Sequence, residues 1–385
     1  MAIHTSFSQE NGRSDKIDGI QYLRFLCASL VVISHENGFL EFPEYFGKAP
    51  LPSLHLASLF AVAAFFSISG YIIAVCSLDA ALQPRHSLSV FLGRRALRIL
   101  PFFWLCTLFY NGLSWAGSGH ASGATLLRTL VLWPLGELRP NVAWSLRHEL
   151  IFYLLFATCL LPARQMARRG PGFRWLFIVA WCLAPLLFAP LLWGKGWANP
   201  AMDNDLYELM RFFLAGGESG ANLQFGAGLL AGWVQLRRPH WLSRLPSLTL
   251  WHLAALFAVC AAMAQMTAIP TGFLRVLLWS VLALIVIVAG LRITPRRGLA
   301  DRVALAVGNS SFSLYLMHNT VMLILLTLSM RWHLRLHGGV ELGAYLLLCI
   351  ILSVAACHAL YLFCEKPLIR HAQARFRQRP IATRA

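Results

Sequence analysis

Charge is what this sequence has little of. Only 13% of its 385 residues are Asp, Glu, Lys or Arg, against roughly 25% in ordinary soluble domains, and just 16 of them are acidic. With 58% hydrophobic residues and a mean hydropathy of +0.61, a soluble fold is excluded and a polytopic membrane protein expected. The opening "MAIHTSFSQENGRSDKIDG" has neither the short apolar core nor the cleavage site of a signal peptide, so the first span reads as an anchor. The nine Cys form no C-x-x-C pair and stand in apolar surroundings, as small core residues do; they point neither to a disulfide framework nor to zinc. An internal repeat, a low-complexity tract and room for a second domain are also lacking.

What is present is a series of apolar windows of spanning length, about 20 residues each. They fall at 18–38, 54–76, 99–115, 144–163, 175–194, 214–236, 249–267, 273–291, 303–328 and 340–363. The fold class expected is therefore all-α, with about ten transmembrane helices. Lys and Arg set the orientation, because cytoplasmic loops carry their excess. With the N-terminus inside, 23 of the 33 lie in cytoplasmic segments, eight in outer ones, and two, Arg24 and Arg147, inside spans. Both termini are expected in the cytoplasm, with a tail at 1–17, a transmembrane domain at 18–370 and a basic tail at 371–385. The net charge of +17 sits in short loops beside spans, so its expected partner is anionic membrane lipid and not nucleic acid.

The stretch "YLRFLCASLVVISHENG", Tyr22 to Gly38, keeps ionisable groups in an apolar span. Arg24 and His35 are eleven positions apart, which is three turns and some 20°, or about 16 Å along one helix face. Ionised groups at membrane depth cost about 2.5–3.5 kcal/mol on insertion scales and usually face a bundle interior or wet cavity. The alternative is that Arg24 snorkels inward and His35 sits in outer water. A second group, "NVAWSLRHELIFY" from Asn141 to Tyr153, puts Arg147, His148 and Glu149 near the outer end of the fourth span. Glu149 and His35 can share a depth, and a carboxylate beside an imidazole can orient it for general-base chemistry; a structural pair of Glu149 with Arg147 or His148 is the rival. His318, in "GNSSFSLYLMHNTVM", also lies beyond the midplane, where a buried, hydrogen-bonded core histidine is the default. On the cytoplasmic side, Arg95 and Arg98 of "FLGRRALRILPFFW" are neighbours on one face. Such guanidiniums bind phosphates bidentately, and positive-inside anchoring accounts for them equally.

Six stretches stand together in a recognisable order. They are the Arg24/His35 spacing, "FFSISGYII" (Phe65 to Ile73), "RRALRILPFFW" (Arg94 to Trp104), "WSLRHELIFY" (Trp144 to Tyr153), "GNSSFSLYLMH" (Gly308 to His318) and "EKP" (Glu365 to Pro367). The set resembles the acyltransferase 3 family of membrane O-acyltransferases from about Asp18 to Arg370. The resemblance implies a ten-helix protein of the bacterial inner membrane. It implies transfer of an acyl group, often acetyl, from cytoplasmic acyl-CoA to hydroxyls of extracytoplasmic glycans or lipid-linked sugars. Arg147 and His148 depart from the small or apolar residues common before the Glu, and the chain resembles the stand-alone kind without an appended hydrolase-like domain. The implied roles are His35 as general base or acyl carrier, Glu149 orienting His35 or assisting the acceptor, and His318 as a further participant. Arg24 would steer the donor, Arg95 and Arg98 would hold CoA phosphates, and Ser69 and Gly70 would permit close helix approach. No metal is implied.

A proton-coupled transporter could also keep Arg, His and Glu in a cavity, but the two-fold repeat expected of one is not found. A scaffolding partner in envelope polysaccharide assembly would need no His35 chemistry. Glu36, Glu41, Glu44, Asp203, Asp205 and Glu208 are expected to make a polar outer mouth.

Overall fold

The computed structural model describes residues 3–118, 122–160, 173–193, 205–216, 220–267, 272–296, 298–336 and 338–377. It is all-helical, and among the described residues only isolated β-bridges occur. Along the chain the helices are α1 (Ile3–Leu40), α2 (His55–Ser77), α3 (Leu88–Ser118), α4 (Gly123–Leu130), α5 (Trp144–Thr158), α6 (Phe173–Trp193), α7 (Asp205–Met210), α8 (Ala221–Arg237), α9 (Pro239–Ser243), α10 (Leu250–Gln265), α11 (Gly272–Gly290), α12 (Leu299–Asn309), α13 (Ser311–Arg331), α14 (Gly339–Leu360) and α15 (Lys366–Arg377). Among the described residues four helices are long and apolar enough to cross a membrane, at His55–Ser77, Leu88–Gly117, Ser311–Arg331 and Gly339–His371; Trp175–Phe188, Leu250–Gln265 and Leu274–Gly290 are shorter apolar helices. Outward faces such as that of α3, with Trp104, Leu105, Leu108 and Phe109 exposed, are what a lipid-embedded bundle presents. This is a membrane protein.

Among the described residues every apolar window overlaps a helix, and three features go beyond what the windows indicate. Residues 3–17 of the expected tail are helical and run unbroken into the first window as part of α1. The ninth window is two helices, parted where Ser310 turns its hydroxyl back onto the carbonyls of Ala306 (3.0 Å) and Val307 (3.3 Å); serine back-bonding of this kind bends helices. The last window runs through a π turn, Tyr361–Glu365, into α15, so that Glu365 is a buried residue of the bundle. The end of the basic tail, 378–385, and residues 194–204, which follow α6, lie outside the described residues.

Helices in a membrane gain little from apolar contact alone, and small residues that let backbones approach hold them together. The crossing of α2 and α8 is built this way. A Cβ at Gly228 would lie 1.9 Å from the Ser67 carbonyl oxygen, one at Gly70 would lie 2.3 Å from that of Phe225, and one at Gly232 would meet the Ala74 side chain at 2.5 Å. The Ser67 hydroxyl donates to the Gln224 carbonyl at 2.7 Å across the crossing. Helix α1 is held likewise at two places: Cβ atoms at Gly19 and Gly308 would lie 1.9 and 2.1 Å from the carbonyl oxygens of Gly290 and Gln21. These contacts set the depth and rotation of α1, and with them the positions of Arg24 and His35.

Candidate active site

Several polar stripes with helical spacing point into one interior. On α5, Ser145, Glu149 and Tyr153 follow at four-residue steps, and on α13, Ser311, Tyr315, His318 and Asn319 occupy one face. Helix α3 starts at Leu88, well before the window read from hydropathy, and so carries Arg95 and Arg98 on the same rod as the third span. Arg24, Ser69, Arg95, Arg98, Glu149 and Tyr153 line a cavity of about 100 Å³, with Ser311 and Tyr315 at its α13 wall.

Inside the cavity Glu149 Oε1 accepts hydrogen bonds from the Ser69 hydroxyl at 2.7 Å and from the Tyr153 hydroxyl. The Tyr153 ring in turn lies beneath the Arg95 guanidinium, 5.3 Å from the ring centroid. Glu365, 4% exposed, accepts from the backbone N–H and hydroxyl of Ser313. Arg24 stands within electrostatic reach of Glu149, Glu365 and Arg98. Among the described residues none of the three cavity arginines makes an ion pair within 4.0 Å, since the only such pairs are Arg139–Glu137 and Arg211–Glu208. Three guanidiniums and one carboxylate, Glu149, line the cavity, which leaves a positive interior with Arg98 at its exposed rim. Guanidiniums without a carboxylate partner are chemically suited to pair with anionic groups.

Three turns along α1, His35 meets His318. The His35 Nδ1 and His318 Nε2 atoms are 2.9 Å apart, with the rings stacked at 5.2 Å and 20°. His318 is fully buried, and its Nδ1 lies 2.9 Å from the Leu314 carbonyl. A carbonyl only accepts, so His318 Nδ1 carries the hydrogen there, and in the neutral ring Nε2 is the acceptor. His35 therefore donates its Nδ1–H to His318, and His35 Nε2 is left with the lone pair. Tyr315 joins the two regions: it lines the cavity, and its ring centroid is 6.4 Å from that of His318. Its hydroxyl donates to the Val142 carbonyl at 3.0 Å and accepts from Ser145 at 2.8 Å, docking the start of α5 onto α13.

The structure thus brings Arg24, Arg95, Arg98 and Glu149 into one cavity and His35 and His318 into contact. Glu149 is bonded to Ser69 and Tyr153 and not to His35, whose ring nitrogen meets His318 instead. Nor does Glu149 pair with its neighbours. Arg147 donates to the carbonyls of Pro134 (3.0 Å) and Gly136 (2.8 Å), and His148 is enclosed by Phe66, Trp144 and Phe212, the last at 4.1 Å. Both serve packing of the 131–140 segment and the aromatic layer. Glu36 is buried rather than part of a solvated mouth, next to Ser353 of α14; Glu208 is paired with Arg211, and Asp203 lies outside the described residues. The sequence reading passed over Tyr153, Tyr315 and Glu365 as site residues. Tyr153 was findable as the i+4 neighbour of Glu149, whereas nothing in the sequence signals that Glu365 folds back onto Ser313.

Residues 17–362 match the family model of an acyltransferase domain. The chain belongs to that acyltransferase family. It is a membrane acyltransferase, transferring groups other than amino-acyl groups, and the match takes in every cavity and dyad residue named above, with Glu365 just beyond it. Comparisons with curated proteins and with solved structures gave no match.

Proposed function

We propose that this acyltransferase moves an acyl group, with acetyl the first to test, from cytoplasmic acyl-CoA to a hydroxyl of an extracytoplasmic glycan or lipid-linked sugar. The reading places the protein in a bacterial inner membrane with ten spans and both termini inside, the arrangement that puts the arginine-rich segments in the cytoplasm. The observation that carries it is the vertical order on α1: a cationic cavity at Arg24, and about 16 Å away an imidazole whose Nε2 is held ready to accept a proton. A donor with an anionic head and a thioester on a long arm has the right shape to span that distance. Arg95 and Arg98 hold the phosphates, Arg24 steers the arm, and the thioester carbonyl reaches His35.

The chemistry then needs neither metal nor ATP. His35 Nε2 removes the proton of the acceptor hydroxyl as its oxygen attacks the thioester carbonyl. The tetrahedral intermediate collapses with cleavage of the C–S bond, and the thiolate takes the proton from the His35 imidazolium, leaving the ester and CoA thiol. His318 stays neutral throughout as acceptor for His35 Nδ1–H, which keeps the ring oriented and favours its cation. Glu149, held by Ser69 and Tyr153, balances part of the arginine charge so that the product CoA can leave.

Envelope glycans from cells with the gene intact, deleted, or carrying His35→Ala test this by mass spectrometry. An acyl-sized mass difference lost alike in the deletion and in His35→Ala supports the proposal. An acyl mark that survives His35→Ala, with the protein at normal abundance, sinks it.

A further inference from the structure

One turn before the cavity rim, α3 carries a second cationic group that the transfer reaction as described leaves unused. Arg94 precedes Arg98 by four residues, about 6 Å along the helix, and is exposed. Its Nη1 lies 2.9 Å from His86 Nε2 in the α2–α3 connection. A guanidinium only donates, so His86 accepts through Nε2 and is neutral in this pairing. Burial and the guanidiniums of Arg94 and Arg85 hold the His86 imidazole below its ordinary value, which keeps it an acceptor near neutral pH. Arg85 is tied by its Nε to the Leu78 carbonyl, and among the described residues its two Nη groups make no hydrogen bond to protein. Among those residues, too, no carboxylate pairs with Arg85 or Arg94. Two arginines are thus fixed, one through an imidazole and one through a backbone carbonyl, with their remaining donors uncommitted. Positive-inside anchoring requires charge at this level but not a tethered geometry.

We propose that Arg94, positioned by His86 and flanked by Arg85, binds the 3′-phosphate of the acyl-CoA donor while Arg95 and Arg98 take its diphosphate. This rests on the reading of acyl-CoA as donor. The two anionic groups of that nucleotide are borne on one ribose, a single sugar apart, and the two cationic groups on α3 are a single turn apart. A phosphomonoester carries more charge than a diphosphate linkage oxygen and suits a guanidinium held open to solvent. The 3′-phosphate is what separates coenzyme A from its dephospho form, so the site gives donor selectivity.

The test uses the full chain in lipid vesicles and compares acetyl-CoA with acetyl-3′-dephospho-CoA. For the unaltered protein, loss of the 3′-phosphate is expected to raise the donor KM about tenfold, the scale of one charge-assisted contact. Arg94→Gln should raise KM for acetyl-CoA by a similar factor and be indifferent to the 3′-phosphate, and His86→Ala should give a smaller shift in the same direction. An Arg94→Gln defect equal for both donors, or one that vanishes in purely zwitterionic vesicles, overturns the proposal and makes Arg94 a lipid headgroup anchor. Binding of adenosine 3′,5′-bisphosphate against adenosine 5′-monophosphate reads the same site without turnover. Preference for the bisphosphate, lost in Arg94→Gln, supports the subsite even if no acyl group is transferred, in which case only the transferase reading fails; no preference in the unaltered protein overturns the subsite.

Discussion

His35 donates its Nδ1 hydrogen to His318 Nε2 across 2.9 Å, and His318 can accept it because its own Nδ1 hydrogen is committed to the Leu314 carbonyl. The direction of that chain leaves Nε2 as the His35 nitrogen with the lone pair. In the reaction proposed above, Nε2 is then the base, and His318 acts through His35 as a positioning residue.

Replacing His318 with Phe keeps a ring in the site and removes the acceptor. His35 is then free to exchange tautomers and to turn. The expected result is a fall in kcat of about a hundredfold, with the donor KM near its original value, while His35→Ala falls further, toward the full 10²–10⁴ range of general-base assistance. Acyl transfer in vesicles measures both. Equal activity of His318→Phe and the unaltered protein would show that the tautomer is not set through this bond.

Arg95 and Arg98 face a cavity without an ion pair among the described residues, so their charge is available to a ligand. Arg95→Gln and Arg98→Gln should each raise the KM for acyl-CoA by about tenfold and change kcat less. A titration of acyl-CoA at saturating acceptor separates the two constants; unchanged KM in the double variant assigns these residues to anchoring.

Tyr153→Phe removes one of the two donors on Glu149 Oε1. A half-buried carboxylate short of one hydrogen bond loses about 1 kcal/mol, and the Arg95 guanidinium over the Tyr153 ring keeps its aromatic face. A lowered melting temperature in detergent with a modest activity loss is expected, and a restored one in the Tyr153→Phe, Glu149→Gln double variant, where no charge is left wanting a donor.

Gly228→Val places a side chain where the Ser67 carbonyl already stands, at 1.9 Å from its Cβ. Neither partner is a flexible side-chain end, so α2 and α8 must separate. Overpacking costs about 1–3 kcal/mol in soluble cores and at least that is expected here, read as reduced membrane abundance or melting temperature. Gly112→Ala, with nothing within 4 Å of its Cβ, is the control and should be silent.

Reporter fusions test the orientation taken from Lys and Arg. Fusions after Arg370 should report the cytoplasm, and one within 195–211 the other side.

Some of this was available from residue order. Hydropathy located the four long apolar helices, because exclusion of charge from hydrocarbon acts on each segment separately. Helical geometry put Arg24 and His35 on one face, and Arg95 beside Arg98, because both are consequences of a fixed rise and twist. The six motifs pointed to the acyltransferase family in the same way, as local patterns in a fixed order.

Only the tertiary structure decided which face of each helix meets which. Glu149 and His35 could share a depth on hydropathy grounds, yet the rotation of α5, docked through Tyr315 to the α13 stripe, turns Glu149 to Ser69 and Tyr153 and leaves His35 to His318. Glu365 lies just past the last apolar window, is carried inward by a π turn and is fastened to Ser313. Such pairings depend on glycine crossings such as Gly228 on Ser67 and Gly308 on Gln21, where an ångström of backbone separation sets the rotation of a whole helix. Burial against lipid is a property of a segment and is written in its composition. Contact between two helices is a property of both surfaces together, and no single stretch of sequence contains it.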